Sequence, residues 1–410
     1  MSPSALAPFR VRSFRFQWPA DLATSWAFEM ETLILGWYIL IATGSVAQLV
    51  LFGALAWVGS ALSPFIGLAA DRLGGRAMLC ATRAAYALLA GVLAVLTFMD
   101  ALAPWHVFLV ATLAGLVKPS DQALRNVLVA QTMQPAMLMG ALGFSRTTSD
   151  VAKVGGALAG AGGVALIGMG PAYALVTAMY VASFALSLGV ATPPRRPGGA
   201  QGAANVLADM QQALRYVWLK PELLGAFTLV FLVNCLAFPF YLGLLPYVAK
   251  EFYGVGQAGL GHLAASFSAG ALLGSLVLGA GRTPFRAGRA ALWSSMLWFA
   301  AVVLLGQFPS FGVGLALIFF AGLVQSFCIV PLNALMLRSA SDEMRGRVMG
   351  MRVLGVWGLP VGLLLAGPVV AWIGFPACAA LYGGLGLAAT VLLGYRWRSA
   401  LWERSAPANA

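Results

Sequence analysis

The run AALWSSMLWFAAVVLLGQFPSFGVGLALIFFAGLVQSFCIVPLNALML, Ala290 to Leu337, decides the fold. It lies between Arg289 and Arg338 and holds 48 residues without one Asp, Glu, Lys or Arg. About 20 apolar residues suffice to cross the hydrocarbon of a bilayer as a helix, so this run is long enough to cross twice. Gln307-Phe308-Pro309-Ser310, near its middle, supplies the helix-breaking residues of a hairpin turn.

Working outward, the same pattern recurs. There are 39 charge-free residues between Glu31 and Asp71 and 41 between Lys153 and Arg195, broken at Ala42-Thr43-Gly44-Ser45 and at Gly168-Met169-Gly170-Pro171. Hydrophobic residues make up 60% of the chain and charged residues 9%, against roughly 45–50% and 25% for a soluble domain. The chain therefore reads as an all-α membrane protein of twelve spans. They are predicted near Phe16–Ala42, Gln48–Ala70, Ala77–Phe98, Pro104–Val129, Leu138–Leu166, Ala172–Val190, Pro221–Val248, Gln257–Ala280, Ala290–Gly306, Gly312–Leu337, Val348–Trp372 and Ala377–Tyr395.

The formal net charge of +12 is distributed in a way that argues against a nucleic-acid partner. Arg10, Arg12 and Arg15 precede the first span, and Arg72 and Arg76 follow the second. Arg195 and Arg196 follow the sixth, Arg282, Arg286 and Arg289 the eighth, and Arg338, Arg345 and Arg347 the tenth; Arg396, Arg398 and Arg404 close the chain. The opposite connections hold only Lys250 among basic residues. The positive-inside rule then places both termini in the cytoplasm. The first span, with no cleavage site after a short apolar region, is expected to stay as an anchor.

Thr192-Pro193-Pro194-Arg195-Arg196-Pro197-Gly198-Gly199 opens a polar segment that divides the chain into residues 1–191, a linker 192–220, and residues 221–410. Asn205 to Trp218 is predicted to form a short amphipathic helix on the membrane surface, with Val206, Met210, Leu214 and Val217 on one stripe. The two halves resemble each other. Ala114-Gly115-Leu116-Val117 recurs as Ala321-Gly322-Leu323-Val324, Leu158-Ala159-Gly160 as Leu365-Ala366-Gly367, and Asn126 meets Asn333, all at an offset of 207; Gly44 and Arg72 meet Gly254 and Arg282 at 210. Two six-span halves that both start from the cytoplasm imply a parallel repeat about the membrane normal, with a solute site between halves.

Gly67-Leu68-Ala69-Ala70-Asp71-Arg72-Leu73-Gly74-Gly75-Arg76 falls between the second and third spans. It resembles the signature loop of the major facilitator superfamily, and topology and repeat agree with that family over almost the whole chain. The resemblance implies a gating role for this loop (Gly67, Asp71, Arg72, Arg76), with Asp71 and Arg72 bracing the halves on the cytoplasmic side. Gly75 replaces a basic residue common there, and Gly281 stands where the second half would have its Asp71, which weakens a second latch. Arg15-Phe16-Gln17-Trp18, Leu245-Pro246 and Ser341-Asp342-Glu343-Met344-Arg345-Gly346-Arg347-Val348-Met349-Gly350 are similar to the enterobactin exporter-like branch. Arg345 and Arg347 join the expected gating set; the plainer reading of their loop is a solvated turn that sets topology.

Charges within spans are costly, roughly 2.5–3.5 kcal/mol each at the helix centre on insertion scales, and mark pathways or pairs. Glu29 and Glu31 lie deep in the first span and Lys118 deep in the fourth. Lys118, Asp121 and Arg125 share one helical face, as do Arg146, Asp150 and Lys153 on the fifth span. The superfamily resemblance implies that the first and fourth spans line the central cavity, where Glu29 or Glu31 faces Lys118. The two glutamates point about 200° apart, so the other turns to a neighbouring span, with Lys153 on the fifth as one partner; which is which stays open. At the 207 offset Lys118, Asp121, Arg125, Asp150 and Lys153 meet Gln325, Cys328, Leu332, Trp357 and Pro360. The second half folds without these charges, which favours function over a purely structural ion-pair network. Asn234, Phe238 and Tyr241 of the seventh span and Gln325 and Asn333 of the tenth are its cavity-lining candidates, with Phe240 beside them.

Cys80, Cys235, Cys328 and Cys378 are isolated, and His106 and His262 stand alone near span ends, so no metal site, cofactor or disulfide framework is expected. Gly254-Val255-Gly256-Gln257-Ala258-Gly259 follows no strand and gives no nucleotide site, and no Walker loop occurs. The expected function is that of a monomeric secondary transporter in a bacterial inner membrane, with no enzymatic activity, exporting a small amphipathic molecule (siderophore, drug or metabolite) in exchange for protons. Import or facilitated passage of a nutrient, or lipid flipping, is the alternative on the same scaffold.

Overall fold

A computed structural model describes residues 7–62, 74–133, 135–191, 203–279, 287–341 and 344–398. Among these the chain is helical, with no strand. The first half holds α1 (Arg12–Thr43), α2 (Val46–Leu55) with a 3-10 turn at Val58–Leu62, α3 (Gly75–Phe98), α4 (Pro104–Thr132), α5 (Pro135–Ile167) and α6 (Met169–Ser187). After the linker helix Ala203–Leu219 come α7 (Pro221–Leu236), α8 (Gln257–Gly279), α9 (Ala287–Gln307), α10 (Phe311–Ser339), α11 (Arg345–Val356) and α12 (Gly358–Arg396). The 24 residues of α3 rise about 36 Å at 1.5 Å each, enough for a hydrocarbon layer about 30 Å thick.

Among the described residues, seven helical stretches are long and apolar enough to span a membrane. The last of them, Arg345–Arg396, contains two spans: Gly374 inside it has φ 81° and breaks the run. The charges of α1 and α4 lower their mean hydropathy below that of an ordinary span, which is why they do not stand out by composition. The seventh predicted span is a broken helix: α7 stops at Leu236, short turns follow at Pro239–Leu242 and Leu245–Tyr247, and a π turn closes it at Val248–Phe252. Pro239 and Pro246 lack the N–H that a continuous helix needs there.

The chain divides by packing into two units, Met1–Gly44 with Leu55–Ala203 and Gly256–Ala265, and Ser45–Ala54 with Ala204–Val255 and Ser266–Ala410. The linker helix thus groups with the second half. Within the first unit α1 packs on α5 and α6, and α3 on α4 and α6; within the second, α7 packs on α11 and α12, and α9 on α10 and α12. The pairings are the same under the repeat. So are the turns that need a left-handed residue: Gly44 (φ 61°) matches Gly254 (φ 64°), and Gly168 (φ 83°) matches Gly374, conformations glycine adopts without strain.

The repeated Ala-Gly-Leu-Val has a packing cause. A Cβ on Gly115 would strike the Leu55 carbonyl, and one on Gly322 the Phe267 carbonyl. Each glycine lets its helix touch backbone of the helix two spans earlier, the close approach on which helix pairs in lipid rely.

Candidate functional site in the first unit

Two acidic and two basic side chains converge between α1, α3 and α4. Asp21 of α1 pairs closely with Arg83 Nη2 of α3 and lies 3.6 Å from Arg125 Nε of α4. Asp121 of α4 closes the square, 3.3 Å from Arg83 Nε and in close contact with Arg125 Nη2 one turn along its own helix. Arg83 is completely buried. Its third nitrogen donates to Ser187 Oγ of α6 at 2.6 Å, and Arg125 donates to Ser25 Oγ at 2.8 Å. The four charges cancel, and every ion has two opposite neighbours, the condition under which buried ions stop being a net cost.

Sequence reasoning put Asp121 and Arg125 beside Lys118 on one face and did not find Asp21 or Arg83. Both stand nearer the ends of spans, where a lone charge reads as interfacial, and their partners are 62 and 38 residues away from Arg83. Lys118 lies apart from the square. Its ammonium sits 3.6 Å from the centre of the Phe28 ring and 4.0 Å from the Trp57 ring, so two aromatic faces rather than a carboxylate hold it.

The two glutamates of α1 separate as their spacing requires. Glu31 is buried and accepts hydrogen bonds from Tyr173 OH at 2.5 Å and Tyr180 OH at 2.8 Å, both on α6. Among the described residues it has no ion pair, and its neighbour is α6 rather than α5. Glu29 is half-buried, and the charges acting on it are Lys153 of α5 first and Lys118 second. Lys153 is 3.7 Å from Asp150. Gly155 and Gly156 of α5 admit α1 here, since a Cβ on Gly156 would meet Glu29 Cβ at 2.8 Å.

A polar stripe runs along α6. Tyr173, Tyr180, Ser183 and Ser187 have almost no exposure and recur at helical spacing on the side facing α1. Ser183 Oγ is 2.5 Å from Thr24 Oγ1, and Ser187 Oγ reaches Arg83. The Tyr180 ring stands 5.4 Å from that of Tyr86 on α3. The first unit is thus threaded by hydroxyls, carboxylates and guanidiniums in an otherwise apolar bundle.

The second unit places its candidates differently. Asn234 turns back on its own helix, donating to the Val230 carbonyl at 2.8 Å, because Gly358 of α12 packs against its Cβ. Phe238 meets Trp298 edge to face with centroids 4.7 Å apart, and Tyr241 stacks on Phe267 at 4.9 Å. Gln325 and Asn333 are half-buried on α10, and Asn333 Oδ1 has no hydrogen-bond partner among the described residues. Of the expected gating residues, Gly67, Asp71 and Arg72 lie outside the described residues. Arg76 donates to the Leu188 carbonyl at the end of α6 at 2.5 Å. Arg345 donates to the Leu337 carbonyl at 3.1 Å and Arg347 to Gln212 Oε1 of the linker helix at 2.7 Å, contacts inside the second unit. His106 accepts from the Ala103 backbone N–H at 3.0 Å and caps α4.

Two units with matching helix pairings, and ionisable side chains buried among the helices of the first, define a polytopic membrane transporter of the major facilitator type. Residues 3–409 match the model of the transmembrane secretion effector family, and the chain belongs to that family. Solved structures share the fold. The nucleoside transporter NupG superposes with a TM-score of 0.77 over 94% of this chain and 99% of its own, at 13% identity. The human organic anion transporter MFSD10 gives 0.66 over 93% and 99% at 17%. A bacterial homologue of the human lysosomal transporter Spinster gives 0.67 over 96% and 99% at 14%. At these identities the likeness is one of fold alone. No curated protein matches the sequence.

Proposed function

We propose that the protein exports a small amphipathic molecule, of the kind of a siderophore, drug or metabolite, across a bacterial cytoplasmic membrane by alternating access in exchange for protons, with both termini in the cytoplasm. The observation that carries this reading is Glu31, a carboxylate buried among helices and held by two neutral phenols, with no cation in contact among the described residues. Burial disfavours a lone charge, while phenolic donors favour it. A carboxylate placed in this way can take up or release a proton without breaking a salt bridge, as a proton carrier must. Glu29, Lys118, Asp150 and Lys153 form the solute-responsive cluster; the Asp21–Arg83–Asp121–Arg125 square fixes α1, α3 and α4 while they work. Phe238 and Tyr241 supply apolar and Gln325 and Asn333 weakly polar contacts of solute recognition, and Asp71, Arg72 and Arg76 the cytoplasmic latch. A ligand that binds one state better than the other then shifts their populations.

The test starts from a thermal-shift screen of siderophores, drugs and metabolites against the purified protein, which supplies a ligand. Its uptake into inverted liposomes is then measured with and without an imposed pH gradient. Glu31→Gln is expected to keep downhill movement and lose the response to the gradient. If both Glu29→Gln and Glu31→Gln left gradient-driven transport intact, proton coupling through these carboxylates would be wrong.

A further inference from the structure

The linker helix turns two faces to different surroundings. Met210–Leu219 meets α7 at 108°, so if α7 crosses the bilayer the linker helix lies along its surface. The inner face is fastened: Ala213 and Val217 are buried, Gln212 accepts from Arg347, Tyr216 OH accepts from the Ser341 N–H at 3.0 Å, and Lys220 Nζ donates to the Ser339 carbonyl at 3.1 Å. These contacts all fall on the junction of α10 and α11. The outer face is apolar and bare. Leu214, Trp218 and Leu219 are 52%, 69% and 70% exposed, and Arg215 stands exposed among them. The expected stripe of Val206, Met210, Leu214 and Val217 is thus divided, with Val217 inside and Leu214 outside.

We propose that this outer face binds the lipid surface: Leu214, Trp218 and Leu219 enter the boundary between headgroups and acyl chains, and Arg215 takes an anionic headgroup phosphate. Three features choose lipid over a protein partner. The face ends one residue before a membrane span begins, it carries an indole, the ring that favours the membrane–water boundary, and the charge set among its exposed apolar residues is Arg215, complementary to anionic lipid, with Asp209 six residues earlier in the chain. Its geometry is that of an interfacial amphipathic helix.

The experiment uses the full chain with Trp218→Cys, and separately Leu219→Cys, carrying a nitroxide label, with the unsubstituted chain labelled in parallel as background. Vesicles are of phosphatidylcholine alone or of equal parts phosphatidylcholine and phosphatidylglycerol. Collision with oxygen is expected to exceed collision with an aqueous nickel chelate, and phosphatidylglycerol to raise the ratio of interface-bound to free helix about fivefold, the factor for one basic side chain near an anionic surface. Arg215→Gln, an exposed change that leaves the packed face alone, is expected to remove the phosphatidylglycerol effect. Preferential collision with the nickel chelate in both vesicles overturns the proposal, whether the face is then bare or covered by a second copy. An unchanged phosphatidylglycerol response in Arg215→Gln overturns the headgroup assignment.

Discussion

The two units are built from the same helix pairings and carry opposite interiors. At the offset of Gly44 and Gly254, Glu31 of the first unit corresponds to Tyr241 of the second; at that of Gly168 and Gly374, Tyr173 and Tyr180 correspond to Ala379 and Gly386. The carboxylate and its two phenols are replaced by an aromatic side chain and two small residues, and Phe299 fills the room at Gly386. Asp121 and Arg125 likewise give way to Cys328 and Leu332, both buried. The bundle therefore stands with either filling. What the polar filling adds is a set of ionisable groups inside the bundle, on which the proposed proton coupling rests.

The largest effect expected from breaking this contrast follows removal of one corner of the ion square. Arg83→Ala leaves Asp21 and Asp121 facing each other with only Arg125 between them, a loss of about 3–5 kcal/mol for a broken buried pair. Purified protein is expected to be scarce and to melt far below the parent in detergent. Replacing Asp21, Arg83, Asp121 and Arg125 together by apolar residues of similar volume should restore melting to near the parent value, since the second unit folds that way. If the fourfold variant melted no higher than Arg83→Ala, the equivalence of the two fillings would be lost.

Next in size is the response of transport to pH. Tyr173→Phe with Tyr180→Phe removes both hydrogen-bond donors to Glu31. The midpoint of gradient-driven transport is expected to shift, whereas Glu31→Gln abolishes the dependence. A purely structural role for the tyrosines predicts lower yield with an unmoved midpoint, and the pH profile separates the two. The equivalent change in the second unit, Tyr241→Phe, is expected to leave the profile where it was.

The repeat itself is tested by Gly115→Ala and Gly322→Ala. In each case the new methyl is driven into a backbone carbonyl of the helix two spans earlier, and overpacking of this kind costs about 1–3 kcal/mol. The two variants should lose comparable melting temperature. A marked inequality would mean that only one unit relies on the close approach.

How much of this was legible in the sequence depended on range. Hairpin turns were legible because charge-free runs and turn residues are local signals: Gly44 and Gly168 marked turns that the structure makes with left-handed glycines. The depth of Glu29 and Glu31 followed from helical rise, and their divergence from helical angle. Their partners did not, because Tyr173 and Tyr180 come from a helix 142 and 149 residues further along, and a tyrosine in an apolar run reads as packing. Arg83 was the clearest omission. A single arginine eight residues into α3 looks interfacial until the unpaired Asp21 on α1 is counted against it, and neutrality of the buried set is the signal that would have brought both forward. The broken seventh span had its signal in Pro239 and Pro246, which a hydropathy reading alone passes over.

The smallest effect lies at the linker helix, where the second unit holds a titrating group outside its spans. Partial burial would raise the phenol of Tyr216, but hydrogen bonds with Lys220 and Ser341 outweigh it and bring the group down from 10 to about 8. A depressed value means that folding favours the phenolate: the added stability is fully present above pH 10 and is lost as pH falls through about 8. The phenolate is the better acceptor for the Ser341 N–H and the closer match for the Lys220 ammonium, 4.6 Å from the ring centre. The linker helix should therefore bind the α10–α11 junction more tightly at pH 9 than at pH 7. A spin label on the helix should lose mobility over that interval, by a modest amount because the site is exposed and screened. Tyr216→Phe should remove the change while leaving the fold intact, and an unaltered pH response in that variant would assign the titration to another group at the same helix.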